Sequence, residues 1–331
     1  MCLPMRIAFA ITRAASVDST WTTIHLAQAA LARGDAVRFI EPWDYEIDTR
    51  GRLIARAHAF DRPSDAEHIA GALVHRSALR RYVDLERIEL LLLRAAPLNP
   101  GLLSFAEIAK ERGVPVVNDP AGLLRVSHKG WLASLQGVRL PTTLVTRSRA
   151  SCHVFAQGQP DGIIVKPARG SGGRDVSRVL RADAVGLDAA FDRARAGGDG
   201  YVVVQQYLPE AEWGEKRLIW LDGAVIGGYL RRRAPGEFRH NLKRGGQAEH
   251  TEITSEDTAL AAEISPHLVR AGVRLAGLDV IGSYLIEVNA LNPGGAFHAD
   301  RLSGSRLGEE ILDRLTHRPE EQRTSWALPA P

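Results

Sequence analysis

Hydrophobic and polar positions in the first third of the chain alternate between two periods. Residues 6–12 (RIAFAIT) form a short apolar run, residues 22–33 repeat apolar positions at helical spacing, and residues 36–40 (AVRFI) read as a second strand. Residues 90–93 are continuously apolar, as expected of a strand covered on both faces, and a helix over 100–112 leads to a strand over 114–118. This succession predicts a parallel sheet. Asp119 and Pro120 close the unit. Between residues 44 and 84 the pattern is weaker and predicts one strand, over 53–60, with one or two helices.

From residue 142 the period shifts toward two. The segments TTLVT, GIIVKPA, VSRVL and YVVVQQYL, interrupted by a helical stretch over 182–196, predict antiparallel structure. Asp222 and Gly223, between RLIWL and AVIGGYL, are a two-residue hairpin signal. A helix over 258–271 precedes a second hairpin, GLDVIGSYLIEVN, and a last helix covers about 307–315. Residues 318–331 are polar and proline-containing, which predicts a frayed tail.

The 331-residue length suits two or three α/β units, and a net charge of +3 spread over it is far from the basic stripe of a nucleic-acid binder. Small anionic ligands need no more. Cys2 and Cys152 are too few for a disulfide framework and lack metal-ligand spacing, so a reducing cytoplasm is the expected location. No apolar run approaches the ~20 residues of a membrane span, and the start runs straight into a strand rather than a signal peptide. Lysine occurs only five times among the 42 basic residues, so the positions that keep it are candidates for a specific role.

Three segments can carry chemistry. IIVKPARGSGGRDVSRV sets Lys166 at the end of an apolar strand and follows it with Gly170, Ser171, Gly172 and Gly173. Without a Cβ to block approach, such a loop brings backbone N–H groups to phosphate oxygens; taken alone it serves equally as a glycine-rich turn. The second segment holds Asp279, Glu287 and Asn289, hard oxygen donors suited to Mg²⁺. Glu287 and Asn289 share one face of a strand, and Asp279 joins them only through an odd-numbered loop or a bulge. Read differently, the three are solvent-facing polar groups on a hairpin, although their neighbours are apolar. The third segment is the basic stretch RRRAPGEFRHNLKRGG, either a solvated face or a shaped loop whose guanidinium groups grip carboxylate or phosphate oxygens.

In order along the chain, NDPAGLLRVSHK, IIVKPARGSGG, VVQQYLP, GEKRLIWLDG, RAPGEFRHNLKRGG, GLDVIG and IEVN resemble the ATP-grasp superfamily, and within it the bacterial glutathione synthetases. The resemblance implies an α/β fold: an N-terminal parallel-sheet domain over 5–120, then two α+β subdomains gripping ATP over 121–317, a lid over about 121–205 and a C-terminal part over about 206–317. It implies Lys129 and Lys166 on the ATP phosphates under the loop 170–173, and adenine beside Gln205, Gln206, Tyr207 and Leu208, mainly on backbone groups of Gln206 and Leu208. Glu215 would take the ribose. Arg217 and Arg233 would steady the transferred phosphate, and Asp279, Glu287 and Asn289 would hold two Mg²⁺ ions, with Mn²⁺ as the alternative metal. Substrate contacts are implied for Arg94, Arg239, Asn241, Asn292, Gly294 and Gly295.

The implied activity is ATP-dependent joining of a small carboxylic acid to an amine through an acyl phosphate, ADP-forming, in a cytoplasmic homo-oligomer with neither nucleic-acid nor membrane partners. The chain departs from the family's pattern at Ala95 and Ala96, after Asn289 (ALNPGGAFHADRLSG), and between Arg233 and Arg239, where the loop is shorter. These are substrate-side positions, so an amide ligase with other substrates, or a small-molecule kinase using the same ATP site, are the alternative readings. His298, Asp300 and Arg301 either contact a substrate or cap the last helix.

Overall fold

The computed structural model describes residues 4–170, 172–181 and 183–316, so Ser171 and the tail expected over 318–331 lie outside the described residues. The chain divides into two compact units, Met1–Ala95 with Asn99–Val117 and Gly304–Pro331, and Ala96–Leu98 with Asn118–Ser303.

In the first unit, the strands Ala36–Ile40, Arg6–Ala10, Leu90–Leu93 and Val116–Val117 lie parallel in that order, as the alternating pattern predicts. The sheet as a whole is mixed rather than parallel. Leu53–Phe60 runs antiparallel to Ala36–Ile40, and two strands that the weak pattern hid, Tyr45–Ile47 and Arg80–Asp84, pair antiparallel with it. For Tyr45–Ile47 and Leu53–Phe60 the reason is local: Arg50–Gly51 and the polar residues around them make a hairpin turn with Gly51 at φ +74°, and a hairpin forces antiparallel pairing. The helix Leu307–Thr316, expected from its position to belong with the residues before it, packs instead on helix Thr22–Ala32 of the first unit. Arg33 Nη1 bonds Asp313 Oδ1 at 2.8 Å there, and Gly308 admits the His25 ring where a Cβ would stand 2.9 Å from Nε2.

The second unit contains two antiparallel sheets. The first has four strands in the order Ser177–Val179, Ile163–Pro167, Val202–Gln206, Thr143–Thr146. Period-two alternation sends Ile163, Val165, Val202 and Val204 to one core with Leu187, Ala190, Phe191 and Ala194 of helix Ala184–Ala196, whose spacing makes a single apolar face. Asp183 caps that helix by accepting from Gly186 N at 2.7 Å. The intervening residues, Ile164, Lys166, Val203 and Gln205, face the other way.

The second sheet runs Gln247–Glu249, Ala224–Arg232, Glu215–Leu221, Leu275–Ile281, Tyr284–Asn289. Its first hairpin turns at Asp222 and Gly223, both at positive φ (+45° and +99°), as the sequence signal requires. Helix Ser255–Arg270 covers one face, and Trp220, fully buried, donates its Nε1–H to Ser265 Oγ at 2.8 Å. A capping box of Thr254 and Asp257 starts this helix three residues before the predicted 258. Lys216 is absorbed there, at 2.7 Å from Asp257 Oδ2, rather than in any cleft. Asn118 pins the second sheet from below: its side chain donates to the carbonyls of Leu275 and Ala290 and accepts from the Arg274 and Leu275 amides at 2.7–3.0 Å.

Candidate active site

The polar faces of these two sheets line one cleft with about 1080 Å³ of empty space, its open mouth included. One wall is Ile163–Pro167 with Val202–Gln206. Lys166 is 6% exposed and donates to Gln205 Oε1 at 3.0 Å, while Gln205 Nε2 donates to Thr143 Oγ1 at 2.9 Å. The amide therefore aims the amine. Burial lowers the pKa of Lys166, with Glu287 opposing and nearby Lys129 reinforcing the shift, so a bound anion would relieve it. Lys129, at the start of helix Lys129–Ala133, donates to the Gly170 carbonyl at 3.0 Å and stands 3.6 Å from Glu287 Oε1.

The opposite wall is a row across the second sheet. Register places Arg231 opposite Glu215, Tyr229 opposite Arg217, Arg217 opposite Asp279, and Asp279 opposite Glu287. Directly opposed residues share a face, so backbone pairing alone gathers these side chains. The Leu275–Ile281/Tyr284–Asn289 hairpin has a plain two-residue turn, which by itself would send Asp279 to the far side; a bulge at Ile286 between the Asp279–Glu287 and Val280–Leu285 pairs restores it. Of the two conditions set by the sequence, the bulge is the one met.

Arg217 grips Asp279 bidentately (Nε–Oδ1 2.5 Å, Nη2–Oδ2 2.9 Å) and donates through Nη1 to the Gly294 carbonyl at 3.0 Å. Arg231 reaches both Asp279 and Glu215 through Nη2. Burial would raise the Asp279 pKa, but the two guanidinium groups outweigh it and hold the carboxyl down to about 2. Burial pushes Glu215 upward, against the pull of Arg231. Asn289 Nδ2 donates to Asp279 Oδ2 at 3.0 Å, leaving its carbonyl oxygen available on the same side as Glu287.

At one end the cleft is apolar. Tyr207, Leu208, Ala211 and Ile281 cluster with Ile164 and Ile286, a surface suited to a planar base. The Gln206 N–H, expected to be among the groups facing that base, donates to the Thr142 carbonyl at 2.9 Å, which leaves a narrower backbone role for this residue. Over the phosphate end, the glycine loop meets the basic segment. Gly173 lies at φ +66° and a Cβ there would stand 2.5 Å from Asn241 Oδ1; its carbonyl accepts from Arg239 Nη1 at 2.9 Å. Arg239 is held by Glu237 at 2.6 Å, and that pairing lowers the Glu237 pKa to about 2.

Among the residues expected at the site, Lys129, Lys166, Gly170, Gly172, Gly173 and Gln205–Leu208 line the cleft, as do Glu215, Arg217, Arg239, Asn241, Asp279, Glu287 and Asn289. Five do not. Arg233 pairs instead with Glu212, because the strand ends at Arg232 and the chain turns away at Pro235 and Gly236. Asn292 does not line the cleft, and Gly294 and Gly295 lie behind Arg217, Gly295 at φ +118° with a virtual Cβ 2.7 Å from Tyr229 Cε1. Arg94 belongs to the first unit, where it is 3% exposed, donates from Nε to Thr23 Oγ1 at 3.1 Å, and has its pKa pushed down by burial to about 9. His298, Asp300 and Arg301 fall within helix Ala296–Ser303, and the His298 ring lies 5.6 Å from that of Tyr229.

Arg231 and His240 were missed by sequence reasoning. Arg231 was legible only as one of three successive arginines; its alternation with Tyr229 on a strand was the available signal. His240, 3% exposed, bonds the Ala211 carbonyl through Nε2 at 2.8 Å. Among the described residues, no group of three or more His, Cys, Asp or Glu side chains is arranged to hold a metal ion. Two carboxylates and an amide oxygen nevertheless fit a hard divalent cation that draws its remaining ligands from phosphates.

Two family models match the chain: the prokaryotic glutathione synthetase N-terminal domain over residues 5–124 and the prokaryotic glutathione synthetase ATP-grasp domain over residues 131–304. Glutathione synthetase of Rhodopseudomonas palustris is 30% identical over 303 residues, 89% of this chain and 92% of that one. For the Thermosynechococcus vestitus glutathione synthetase the match is 36% over 197 residues and spans 60% of this chain and 61% of the relative. Among solved structures, D-cycloserine synthetase DcsG superposes with a TM-score of 0.65 at 19% identity, covering 94% of this chain and 99% of that one. VanG D-Ala:D-Ser ligase from Enterococcus faecalis gives 0.64 at 16%, covering 95% and 98%. At such identities the structures speak to the fold, which is the α/β ATP-grasp fold.

Proposed function

Because the chain belongs to the prokaryotic glutathione synthetase family, and as such is an ADP-forming carboxylate–amine ligase that uses ATP, a divalent metal and small-molecule substrates, we propose that it condenses a γ-glutamyl dipeptide with a small amino acid in the cleft just described. The observation that carries this reading is the pairing of two lysines on one wall with the Asp279, Glu287 and Asn289 oxygens on the other. Lys129 and Lys166 take the triphosphate, the apolar end takes adenine, and Glu215 takes the ribose. Mg²⁺ is the ion that the oxygen donors favour, with Mn²⁺ as its substitute; held by Asp279, Glu287 and Asn289, it would draw charge from the γ-phosphoryl group.

The residues then have separable tasks. A substrate carboxylate oxygen attacks the γ-phosphorus in line, and Lys166 and Arg217 neutralise charge that would otherwise repel an anionic nucleophile. The product is an acyl phosphate and ADP. The amine nitrogen attacks the acyl carbon, the carbon–oxygen bond to phosphate breaks, and a proton leaves the nitrogen. The loop around Gly173, closed against Arg239 and Asn241, keeps water from the acyl phosphate. ATP supply makes the cytoplasm the expected compartment, in keeping with the finding that no helix among the described residues is long and apolar enough to cross a membrane.

The test is phosphate release from ATP across an array of carboxylic acids crossed with amines, γ-glutamylcysteine plus glycine included, with product masses recorded. Release that needs both partners, with a product mass equal to their sum minus water, is the expected result. A stable phosphorylated product formed without an amine would refute the ligase reading.

A further inference from the structure

All three acidic side chains lining the cleft, among the described residues, are Glu215, Asp279 and Glu287, and one guanidinium spans the first two. Arg231 is 6% exposed and sits on the cleft face because Ala224–Arg232 pairs it directly with Glu215. Its position is thus set by backbone register, not by a choice of rotamer on a flexible surface. Arg217 takes both oxygens of Asp279 from the other side, so that this carboxylate is already saturated by two cations. What remains for a metal is Glu287, the Asn289 carbonyl oxygen and whatever Asp279 can share. Arg231 also holds one unfulfilled group: its Nε–H is buried and has no acceptor. A buried donor of this kind is costly unless a ligand satisfies it.

We propose that Arg231 stands in for one of the two metal ions that an ATP-grasp site would otherwise hold: it neutralises Glu215 and Asp279 permanently and offers its Nε–H to a nucleotide oxygen. This chain accordingly takes a single divalent ion per nucleotide, held at Glu287, Asn289 and the share of Asp279 that the two guanidinium groups leave. The inference rests on the ATP-binding reading above. A guanidinium is a planar donor with fixed geometry, so it suits a position between two carboxylates and an anionic oxygen, as a metal ion does, without exchanging with solvent.

The experiment counts bound Mn²⁺ from the loss of its free-ion electron paramagnetic resonance signal, with the full-length protein in excess over a non-hydrolysable ATP analogue whose binding is measured in parallel. The wild type is expected to bind one Mn²⁺ per bound analogue, Arg231→Lys one, and Arg231→Leu two, since Leu empties of positive charge the position between Glu215 and Asp279 that the guanidinium fills, while Arg217 keeps its own grip on Asp279. Two Mn²⁺ per analogue in the wild type, or an unchanged count of one in a folded Arg231→Leu protein, would overturn the proposal while leaving the ligase reading intact. If Arg231→Leu does not fold, the wild-type count decides alone. No analogue binding at all would remove both.

Discussion

The buried set of Arg217, Asp279, Arg231 and Glu215 makes a quantitative prediction that does not depend on any ligand. Replacing Asp279 with Asn keeps the shape and removes the charge that faces two guanidinium groups, each at most 7% exposed. Breaking a buried ion pair by deleting one partner typically costs ~3–5 kcal/mol, because the remaining charge stays buried. A second route gives a similar figure. The Asp279 carboxyl is held down to about 2, against ~3.9 for an unfolded aspartate, and at ~1.4 kcal/mol per pH unit this is on the order of 2–3 kcal/mol at neutral pH. The two agree near ~3 kcal/mol. The sign follows from the depressed value: the stabilisation is present above pH ~4, the unfolded pKa, and fades as pH falls through about 2. Urea unfolding of the metal-free, nucleotide-free protein, wild type against Asp279→Asn, should therefore show a deficit of ~3 kcal/mol at pH 7 that narrows steadily below pH 4. A deficit under ~1 kcal/mol at pH 7, or one that does not narrow with acid, would show that these contacts do not carry the energy assigned to them.

Further expectations concern single residues. Lys166→Met, which keeps the stem and removes the amine, should weaken binding of an ATP analogue by roughly 10- to 100-fold, in line with ~1.5–3 kcal/mol for a hydrogen bond to a charged group; isothermal titration calorimetry within twofold of wild type would count against the phosphate assignment. Arg233→Ala should leave analogue affinity within about twofold, since Arg233 pairs with Glu212 outside the cleft; a tenfold loss in the same titration would return it to the site. Gly295→Ala places a Cβ against Tyr229 at a φ of +118°, so thermal melting should reveal a loss of ~1–3 kcal/mol, and an unchanged melting temperature would contradict that packing.

The parts of this fold that were legible in the sequence are those governed by neighbours in the chain. Asp222–Gly223 announced its hairpin because two positive φ angles favour those residues, and Leu90–Leu93 announced a doubly covered strand by lacking polar positions. The Asp279 face was legible only as a condition. A bulge is decided by how two strands pack, so nothing local to Ile286 marks it. Arg231 shows the same limit from the other side: in RRRAPGEF a charge run looks like a solvated surface, whereas strand alternation puts Tyr229 and Arg231 inward and the turn at Pro235 carries Arg233 out. The mixed character of the first sheet also escaped, since the short strands Tyr45–Ile47 and Arg80–Asp84 carry charged, exposed residues and are held by pairing rather than by hydrophobic pattern.

The proposed chemistry turns on an acyl phosphate, and oxygen isotope transfer tests it most directly. With the acid substrate found in the array labelled with ¹⁸O in its carboxylate, the oxygen that attacks the γ-phosphorus leaves again on phosphate when the amine displaces it. One ¹⁸O per released phosphate is the predicted result; phosphate free of the label, with amide product still formed, would contradict the mechanism.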